Sequence, residues 1–387
     1  MKSPLKKYVH YSGQRLLDNN PKAKYYVIIG ERSNGKTYWA LEYALREYKE
    51  TKKQFAYVRR WDVDVKASEL NQLFEGHIKN RVVERLFAHD PNRWNSIIYK
   101  TGHFYLRHID DDPKLTVVAD HPIGHVFSIS AGEHKKSYSY GEVTTVIFDE
   151  FLTRTSYLPN EPVLFQNLLS TIIRLRDDVR VFMLGNTVNK WCPYFAVMGL
   201  THVKEQKQGT IDTYHYGDSE LEVAVEYCES SQTKGGKASD VYFAFDNPQL
   251  AMVKDGSWEV AEYPKLRTEY RASDIIATFY VEFAGDTLKG IVVANRTGAF
   301  VFIKRANITI RDDEGKRKAI IADDIIYVDK HSADYRELLG VTHQPDKLSR
   351  TLLSFMGQNR FYYSDNDVGE IWRNYVMWSD NLNIRNA

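Results

Sequence analysis

The residues from Gly30 to Thr37, GERSNGKT, have the types and spacing of a loop that binds nucleotide phosphates. They match the pattern G-x-x-x-x-G-K-[ST] at every defined position. Glycines at both ends allow positive φ values and a close approach of the main chain, whose N–H groups then face the phosphates. Lys36 is expected to reach the β- and γ-phosphates, and the Thr37 hydroxyl is expected to bind Mg²⁺. The other predicted members of the loop are Glu31, Arg32, Ser33, Asn34 and Gly35.

Two adjacent carboxylates, Asp149 and Glu150, follow the apolar run TTVIF. An acid at the end of a buried strand can hold the magnesium shell, which is the role expected of Asp149. A carboxylate beside the γ-phosphate can orient and polarise water for in-line attack, which is the role expected of Glu150. The pair favours hydrolysis over transfer to a metabolite. The structural alternatives are a plain glycine turn at 30–37 and an exposed Asp-Glu turn at 149–150. The presence of both the loop motif and the acidic pair in one chain argues against these alternatives.

Polar residues at two other element ends are candidates for completing the site. Asn186 ends the apolar run VRVFMLGN and is suited to sensing the γ-phosphate, although a turn-forming asparagine explains it equally well. Arg174 and Arg176 close a helical pattern, where the helix dipole alone favours arginine. Ring ATPases also complete one subunit's site with an arginine from the next, worth about 10³–10⁵ in rate in well-studied cases.

The elements that must position these residues alternate between strands and helices. Apolar runs at 25–30, 54–61, 144–151 and 179–186 predict buried strands. Helical spacing over 37–49 and 160–176 predicts two of the connecting helices. Such alternation indicates an α/β fold with a mostly parallel sheet and right-handed crossovers. We assign it to a P-loop ATPase domain over residues 1–203, whose first 23 residues have the pattern of a loose polar lead-in.

The remainder of the chain has a different pattern of polar and apolar residues. Residues 204–265 are polar and turn-rich, which predicts a linker or bridging subdomain. Residues 266–387 run strand after strand and then turn helical, which predicts a smaller α+β domain.

Composition excludes several classes of protein. The chain has 387 residues, with 52 Lys and Arg against 51 Asp and Glu, so its net charge gives no argument for nucleic acid. Its two cysteines argue against a disulfide framework and favour an intracellular protein. No uncharged apolar run approaches the roughly 18 residues that span a bilayer, so no membrane partner is expected.

Several local strings resemble the DNA encapsidation ATPases of small short-tailed phages, the phi-29 type. They are FAYVRRW, VIFDEF, YLPNE, IIRLRDDVR, GNTVNKWCPYF and, toward the C-terminus, SFMGQNRFYYSDNDVGEIWRN. The resemblance implies a P-loop domain of the additional-strand type and an RNase H-like second domain that does not cut DNA. It implies a motor that uses ATP and Mg²⁺ to push double-stranded DNA through a viral portal into a procapsid.

The same resemblance implies partners, location and residue roles. It implies a homomeric ring on the capsid, expected to be a pentamer of chains that are monomers in isolation, with a structural RNA as a candidate partner. The location implied is the host cytoplasm and, transiently, the portal vertex, but not the mature virion. Carried over by residue, Lys36 is the loop lysine, Asp149 the metal acid and Glu150 the catalytic acid. Arg174, in preference to Arg176, falls at the position of the trans-acting arginine.

Two basic pairs are candidates for regulation and DNA contact. Arg59 and Arg60 end the strand expected beside the P-loop strand, where one of them could hold Glu150 inactive until DNA is gripped. Lys135 and Lys136, in a basic and aromatic segment, could contact DNA phosphates without reading sequence. Solvated arginines and a solvated loop are equally good alternatives. Lys136 also aligns with a family lysine that could act across the subunit boundary.

A motor with a working nuclease is the main alternative function, alongside other P-loop nucleic-acid translocases. A two-metal nuclease needs three or four carboxylates at one strand edge. The spacing of the available acids does not make a convincing set; they are Glu282, Asp286, Asp323, Asp324 and Asp329. A phosphotransferase acting on a small molecule is the third hypothesis, and Glu150 argues against it.

Overall fold

The chain divides into two compact units near residue 259. The computed structural model describes residues 11–131, 140–154, 157–158, 160–229, 257–258, 261–283, 286–296, 298–306, 325–328 and 347–380. The first unit spans Met1–Glu259 and the second spans Val260–Ala387. The functional residues predicted with most detail all belong to the first.

A ten-stranded sheet forms the centre of the first unit. Its strands are β1 Tyr25–Gly30, β2 Gln54–Arg59, β3 Ser96–Lys100, β4 His103–His108, β5 Val117–Val118, β6 Gly124–Ser128, β7 Val143–Asp149, β8 Arg180–Asn186, β9 Ile211–His215 and β10 Glu222–Tyr227. The order is β3-β4-β6-β2-β7-β8-β1-β10-β9, with β5 paired to β4. Six neighbouring strands from β6 to β10 are parallel, and antiparallel strands extend both edges. Because β8 lies between β1 and β7, the sheet is of the additional-strand type, as expected.

Helices cover both faces of this sheet. They are α1 Gln14–Asn19, α2 Lys36–Thr51, α3 Ala67–Leu70, α4 Glu75–Lys79, α5 Val82–Leu86, α6 Glu161–Ile173 and α7 Pro193–Val197. Alternate residues of the central strands enter two separate cores, because successive side chains of a strand point to opposite faces. Ile28 packs with Leu41 and Leu45 of α2 on one face, and Ile29 packs with Phe165 of α6 on the other. The continuous apolar runs therefore mark strands that are buried on both faces, as the sequence predicted.

The first unit differs from the sequence-based division in two ways. Strands β9 and β10 lie within residues 204–265, the predicted linker, yet β10 pairs in parallel with β1 and continues the sheet. Without β10, β1 would be an open edge of the sheet. The predicted lead-in contains α1, whose Leu16 is completely buried.

The position of β2 also differs from expectation. The strand carrying Arg59 is expected from the sequence to lie beside the P-loop strand, and this prediction is wrong. Strand β2 pairs with β6 on one side and with β7 on the other, so two strands separate it from β1. The consequence is that Arg59 lies beside the strand that carries the acidic pair.

The second unit is a smaller α+β structure. Its elements are β11 Ile275–Phe283, β12 Asp286–Asn295, β13 Gly298–Arg305, β14 Ile325–Val328, α8 Lys347–Gly357, β15 Phe361–Tyr363 and α9 Asn366–Asp380. The order is β14-β11-β12-β13-β15, with an antiparallel meander from β11 to β13 and β14 parallel to β11. The part β13-β12-β11-β14 has the strand order of an RNase H-like sheet. Trp372 of α9 packs on Phe279 and Phe361.

Helices in the described parts of both units are too short or too polar to cross a membrane.

Candidate active site

The loop between β1 and α2 surrounds the ammonium group of Lys36. Its Nζ donates hydrogen bonds to the carbonyl oxygen of Glu31 at 2.7 Å, to Oδ1 of Asn34 at 3.1 Å and to Oδ1 of Asn186 at 3.2 Å. Lys36 is only 6% exposed. Burial lowers the pKa of Lys36 by disfavouring the ammonium form, and the nearby charge of Asp149 opposes this shift. An anion that enters the loop would replace one or more of these three acceptors.

The two loop glycines serve different purposes. Gly35 has φ 96° and immediately precedes α2, a conformation that glycine adopts at no steric cost. Gly30 differs from the expectation of a positive φ, since it is not among the positive-φ glycines. A Cβ atom on Gly30 would lie 2.8 Å from Cβ of Cys228, which follows β10. Gly35 thus shapes the turn, whereas Gly30 permits close packing.

A cavity of about 310 Å³ opens over the loop at the carboxyl ends of the strands. The main members of its lining are Arg32, Ser33, Asn34, Lys36, Thr37, Asp149, Glu150 and Asn186. The structure thus brings together, around one cavity, loop residues and acids that are more than 100 positions apart in the chain. Asn186 reaches it because β8 is the direct neighbour of β1, with Asn186 paired to Gly30.

Asp149 is buried and held by two hydroxyl groups. Thr37 Oγ1 donates to its Oδ1 at 3.1 Å, and the Tyr57 hydroxyl donates to its Oδ2 at 2.9 Å. Burial raises the pKa of Tyr57 well above its ordinary value, and the negative charge of Asp149 adds to the shift. Tyr57 consequently remains a donor across the neutral range, which fixes the orientation of the Asp149 carboxylate.

Thr37 and Asp149 offer oxygen ligands, which suit a hard cation such as Mg²⁺. The described part of the chain contains no group of three or more His, Cys, Asp or Glu side chains that could hold a metal ion. A two-residue site is nevertheless sufficient for Mg²⁺ bound with a nucleotide, because phosphates and waters supply the other ligands.

Glu150 is half exposed and forms an ion pair with Arg59. The Arg59 guanidinium lies 2.7 Å from Oε2 of Glu150, 3.9 Å from Asp149 and 3.7 Å from Asp64. Burial tends to lower the pKa of Arg59, but Tyr57 and the acids outweigh this and raise it. The Glu150 backbone has φ 58°, an uncommon left-handed value for a side chain of this size. The side chain and the main chain of Glu150 are therefore both held in particular states.

Arg60 fixes the main chain around Glu150 from the opposite side. Its guanidinium donates to the carbonyl oxygens of Glu150 at 3.1 Å and Phe151 at 2.6 Å, and to Oε2 of Glu161 at 2.7 Å. Glu161 is fully buried at the start of α6 and accepts a further hydrogen bond from Tyr194 at 3.0 Å. Arg60 is 5% exposed, so this pair joins three elements in the interior.

The predicted trans-acting arginine lies away from this cavity. Arg174 is exposed, has φ 46° and follows the last residue of α6. Since α6 has 13 residues and begins at Glu161, it is roughly 20 Å long, and Arg174 follows the end opposite Glu161. Residues 177–180, which follow Arg174, line a different cavity with Lys24 and Lys53, the residues just before β1 and β2. Arg174 is thus at the amino edge of the sheet. Lys135 and Lys136 lie outside the described residues.

Sequence reasoning missed two residues of the site, Tyr57 and Glu161. Tyr57 precedes Arg59 by two positions, so strand periodicity puts both on the face that meets Asp149. That spacing was a usable signal once the neighbour of β2 was known. Glu161 stands in the first turn of α6, where an acid is usually explained by the helix dipole. No sequence signal distinguishes it from a solvated residue.

Comparisons with known proteins agree with this fold. The family model described as "Podovirus DNA encapsidation protein (Gp16)" matches residues 5–337. The DNA packaging protein of Bacillus phage B103 is 31% identical over 176 residues, which are 45% of this chain and 47% of that protein. The DNA packaging protein of Bacillus phage phi29 is 28% identical over 197 residues, 50% of this chain and 51% of that protein.

A similar fold occurs in the solved structure titled "The Phi-28 gp11 DNA packaging Motor". It has a TM-score of 0.52 at 19% identity, covering 96% of this chain and 98% of that chain. The chain spans about half the length of the curated relatives it matches. The family model extends over most of the chain, and the chain therefore belongs to the Podovirus DNA encapsidation protein (Gp16) family.

Proposed function

We propose that this protein is an ATP-hydrolysing motor that moves double-stranded DNA into a viral procapsid. The observation that carries the proposal is the convergence of Lys36, Asp149 and Glu150 on one cavity in a chain of the encapsidation family. A phosphate loop, a metal acid and a second carboxylate are the three parts that hydrolysis of a nucleoside triphosphate requires.

The residues present fit ATP with Mg²⁺. The amide groups of the loop and Lys36 would hold the phosphates, and Thr37 and Asp149 would hold the cation. A side-chain amide donor of Asn34, in the middle of the loop, is buried without a hydrogen-bond partner. A phosphate oxygen that enters the loop could accept a hydrogen bond from this Asn34 donor, which would explain why the donor has no partner within the chain. Bound Mg²⁺ would neutralise charge that develops on the phosphate oxygens.

Glu150 is proposed as the residue that orients water and accepts its proton. Its carboxylate is bound to Arg59, and in this arrangement it is not free to act as a base. We propose that Arg59 releases Glu150 when DNA is engaged, which makes hydrolysis depend on DNA. The proposal retains the regulatory role suggested for one of the two arginines and assigns it to Arg59, because Arg60 contacts the Glu150 main chain instead.

Arg174 is proposed to act on the cavity of a neighbouring subunit. Its place at the amino edge of the sheet supports this role, because the acidic pair of its own chain lies at the carboxyl end of β7. A homomeric ring follows, since each chain then supplies an arginine to the next. The pentameric number, assembly on the capsid from monomers, and a structural RNA partner remain proposals taken from the resemblance.

DNA and the viral portal are the proposed macromolecular partners. Lys135 and Lys136 are proposed to contact DNA phosphates in the channel of the ring. Replacing each with alanine should reduce the dependence of DNA affinity on salt concentration, with the slope of log affinity falling by about one for each lost contact. An unchanged slope would remove these lysines from the DNA path. Action in the host cytoplasm and transiently at the portal vertex is part of the same proposal.

For the second unit we propose a docking role without DNA cleavage. Among the acids considered for a nuclease site, Asp286 forms an ion pair with Arg305, which occupies its carboxylate. Asp323, Asp324 and Asp329 lie outside the described residues, as does the side chain of Glu282. Plasmid DNA incubated with the chain and Mn²⁺ should stay intact, and cutting that stops on Asp286→Asn would support the nuclease alternative.

The decisive experiment is a packaging reaction with empty shells, ATP and double-stranded DNA. The wild-type chain should protect DNA from added nuclease, and Glu150→Gln should abolish protection. Removing a positioned base costs about 10²–10⁴ in rate, which is enough to stop a motor. Glu150→Gln should still bind ATP with the wild-type dissociation constant, which serves as the control for folding. Protection of DNA by the Glu150→Gln chain would overturn the proposed function.

A further inference from the structure

The turn that follows α6 is held in a strained shape by one side chain. Arg174 and Leu175 have φ 46° and 66°, both in the left-handed region that side chains other than glycine rarely adopt. Two such residues in succession persist only where the surroundings determine them, and they occur frequently at functional contacts.

Arg176 is the residue that determines this shape. Its guanidinium lies within hydrogen-bonding distance of the carbonyl oxygens of Ile172 at 3.2 Å and Ile173 at 3.1 Å in the last turn of α6, and its amide also donates to Ile173 at 3.2 Å. It also donates to the carbonyl oxygen of Val143 at 2.6 Å and contacts Asp178 at 3.2 Å. Arg176 therefore fastens the turn both to α6 and to the first residue of β7, the strand that ends in Asp149.

Leu175 projects from this anchored turn into solvent. It is fully exposed, whereas the next most exposed large apolar side chain in the described ranges, Val197, is 67% exposed. A single exposed apolar residue needs no explanation by itself. Here, however, the side chain is carried outward by a backbone conformation that costs free energy, directly beside Arg174. An apolar tip next to a cation suits a protein surface with an acidic rim better than it suits DNA phosphates.

We infer that residues 174–176 form a preformed contact for a second copy of this chain, in which Leu175 packs on the neighbour and Arg176 positions the turn. A second copy is the partner because the proposed trans role brings Arg174 to the cavity of a neighbour, where the half-exposed carboxylate of Glu150 is part of the lining. The inference rests on the proposed role of Arg174 in trans, and it adds the contact that would place Arg174. It also gives Arg176 a task distinct from that of Arg174.

Mixed motors can test the contact separately from the chemistry. One chain carries Arg174→Ala and keeps its own cavity intact; the other carries Glu150→Gln and keeps its arginine turn intact. Neither should hydrolyse ATP alone on shells with DNA, whereas a mixture should, at interfaces where the second chain supplies the arginine. Adding Leu175→Ser to the Glu150→Gln chain should lower the rate of the mixture about tenfold or more, since misplacing a reacting group is costly.

Two further variants make the result specific. Leu115→Ser, added to the Glu150→Gln chain, is the matched control, because Leu115 is also exposed, at 58%, in a turn distant from α6. Arg176→Lys keeps the charge but loses the planar set of donors, and should behave as Leu175→Ser does. Each variant chain should bind a fluorescent ATP analogue as tightly as its parent, which shows that the first unit is folded.

The outcomes separate the two claims. A mixture with Leu175→Ser that hydrolyses ATP as fast as the mixture with Leu115→Ser would overturn the contact inference alone. If the two parent chains do not complement each other, the trans role of Arg174 fails and the inference falls with it. If Leu175→Ser weakens DNA binding by the isolated chain and leaves complementation intact, the turn is a DNA contact and the inference is wrong.

Discussion

Arg59 and Arg60 are neighbours in sequence but act on different parts of Glu150. Arg59 pairs with its carboxylate, which is half exposed, and Arg60 bonds to its carbonyl oxygen in the interior. An exposed ion pair is weak and easily exchanged, whereas a buried set of hydrogen bonds is persistent. The side chain of Glu150 can therefore leave Arg59 while its main chain remains in place. This division is what a carboxylate needs if it is to alternate between two states.

Arg59→Ala should raise ATP hydrolysis measured without DNA. Glu150 is half exposed and Arg59 is 18% exposed, so solvent screens the pair in part. At about 1 kcal/mol for the pair, the free Glu150 population and the basal rate should rise about fivefold. Stimulation by DNA should shrink by the same factor. Arg59→Lys, which keeps a cation near Glu150, is the control and should stay close to wild type. An unchanged ratio of rates with and without DNA in Arg59→Ala would contradict the switch.

At the scale of elements, the buried pair of Arg60 and Glu161 joins β2, β7 and α6. Arg60→Ala leaves the carboxylate of Glu161 buried without its cation, and the loss of such a partner costs about 3–5 kcal/mol. We expect Glu161→Ala to destabilise the first unit by a similar amount. Urea denaturation monitored by far-ultraviolet circular dichroism measures both.

A double variant distinguishes the net contribution of the ion pair to stability from the cost of leaving one buried charge unpaired. Arg60→Met combined with Glu161→Leu removes both charges and should recover much of the lost free energy of unfolding. ATP hydrolysis should remain low in the double variant, because the carbonyl oxygens of Glu150 and Phe151 lose their donor. Wild-type hydrolysis by that variant would show that Arg60 does not position Glu150.

Elements with strong local signals were predicted well from the sequence. The strands at β1, β2, β7 and β8 occur within two residues of their predicted limits, because each is a continuous apolar run that both faces of the sheet bury. Helix α6 is shorter than predicted, ending at Ile173, since Arg174 adopts a left-handed conformation. Strand β10 was missed because nothing in the local pattern shows that a distant segment will cover the edge of β1.

The candidate site was predictable only in part for a similar reason. The spacing of the loop motif and the acidic pair identifies residues whose roles depend on local geometry. Pairings such as Arg59 with Glu150 depend instead on the order of strands, which the sequence did not reveal correctly. The role of Glu161 depends on its burial, and a single sequence shows which residues are present but not which of them are buried.

For the whole molecule, the buried tyrosines predict how stability depends on pH. Burial raises the pKa of Tyr57 and Tyr194 well above 10, and their neighbours Asp149 and Glu161 add to the shift. Above pH 10 these groups ionise in the unfolded chain but not in the folded one. The unfolded state then binds fewer protons, so the free energy of unfolding falls as pH rises.

Each tyrosine should contribute about 1.4 kcal/mol of lost stability per pH unit above pH 10, until its raised pKa is reached. Urea denaturation at pH 8, 9, 10 and 11 measures this slope. The double variant Tyr57→Phe and Tyr194→Phe should show a shallower decline than wild type, which separates the tyrosines from lysines that titrate nearby. Equal slopes in the two proteins would contradict the prediction.

The segment before α1 also bears on how the protein is handled in experiments. The Tyr11 amide donates to the carbonyl oxygen of Asn34 at 2.9 Å, and its ring meets Trp39 edge to face. The phosphate loop is thus held by a residue that lies outside its motif, 23 positions before Asn34. A cut that removes Tyr11 would take these contacts from the loop without altering the motif. Purification handles are better attached elsewhere, and kinetic constants are best compared between chains with identical leading residues.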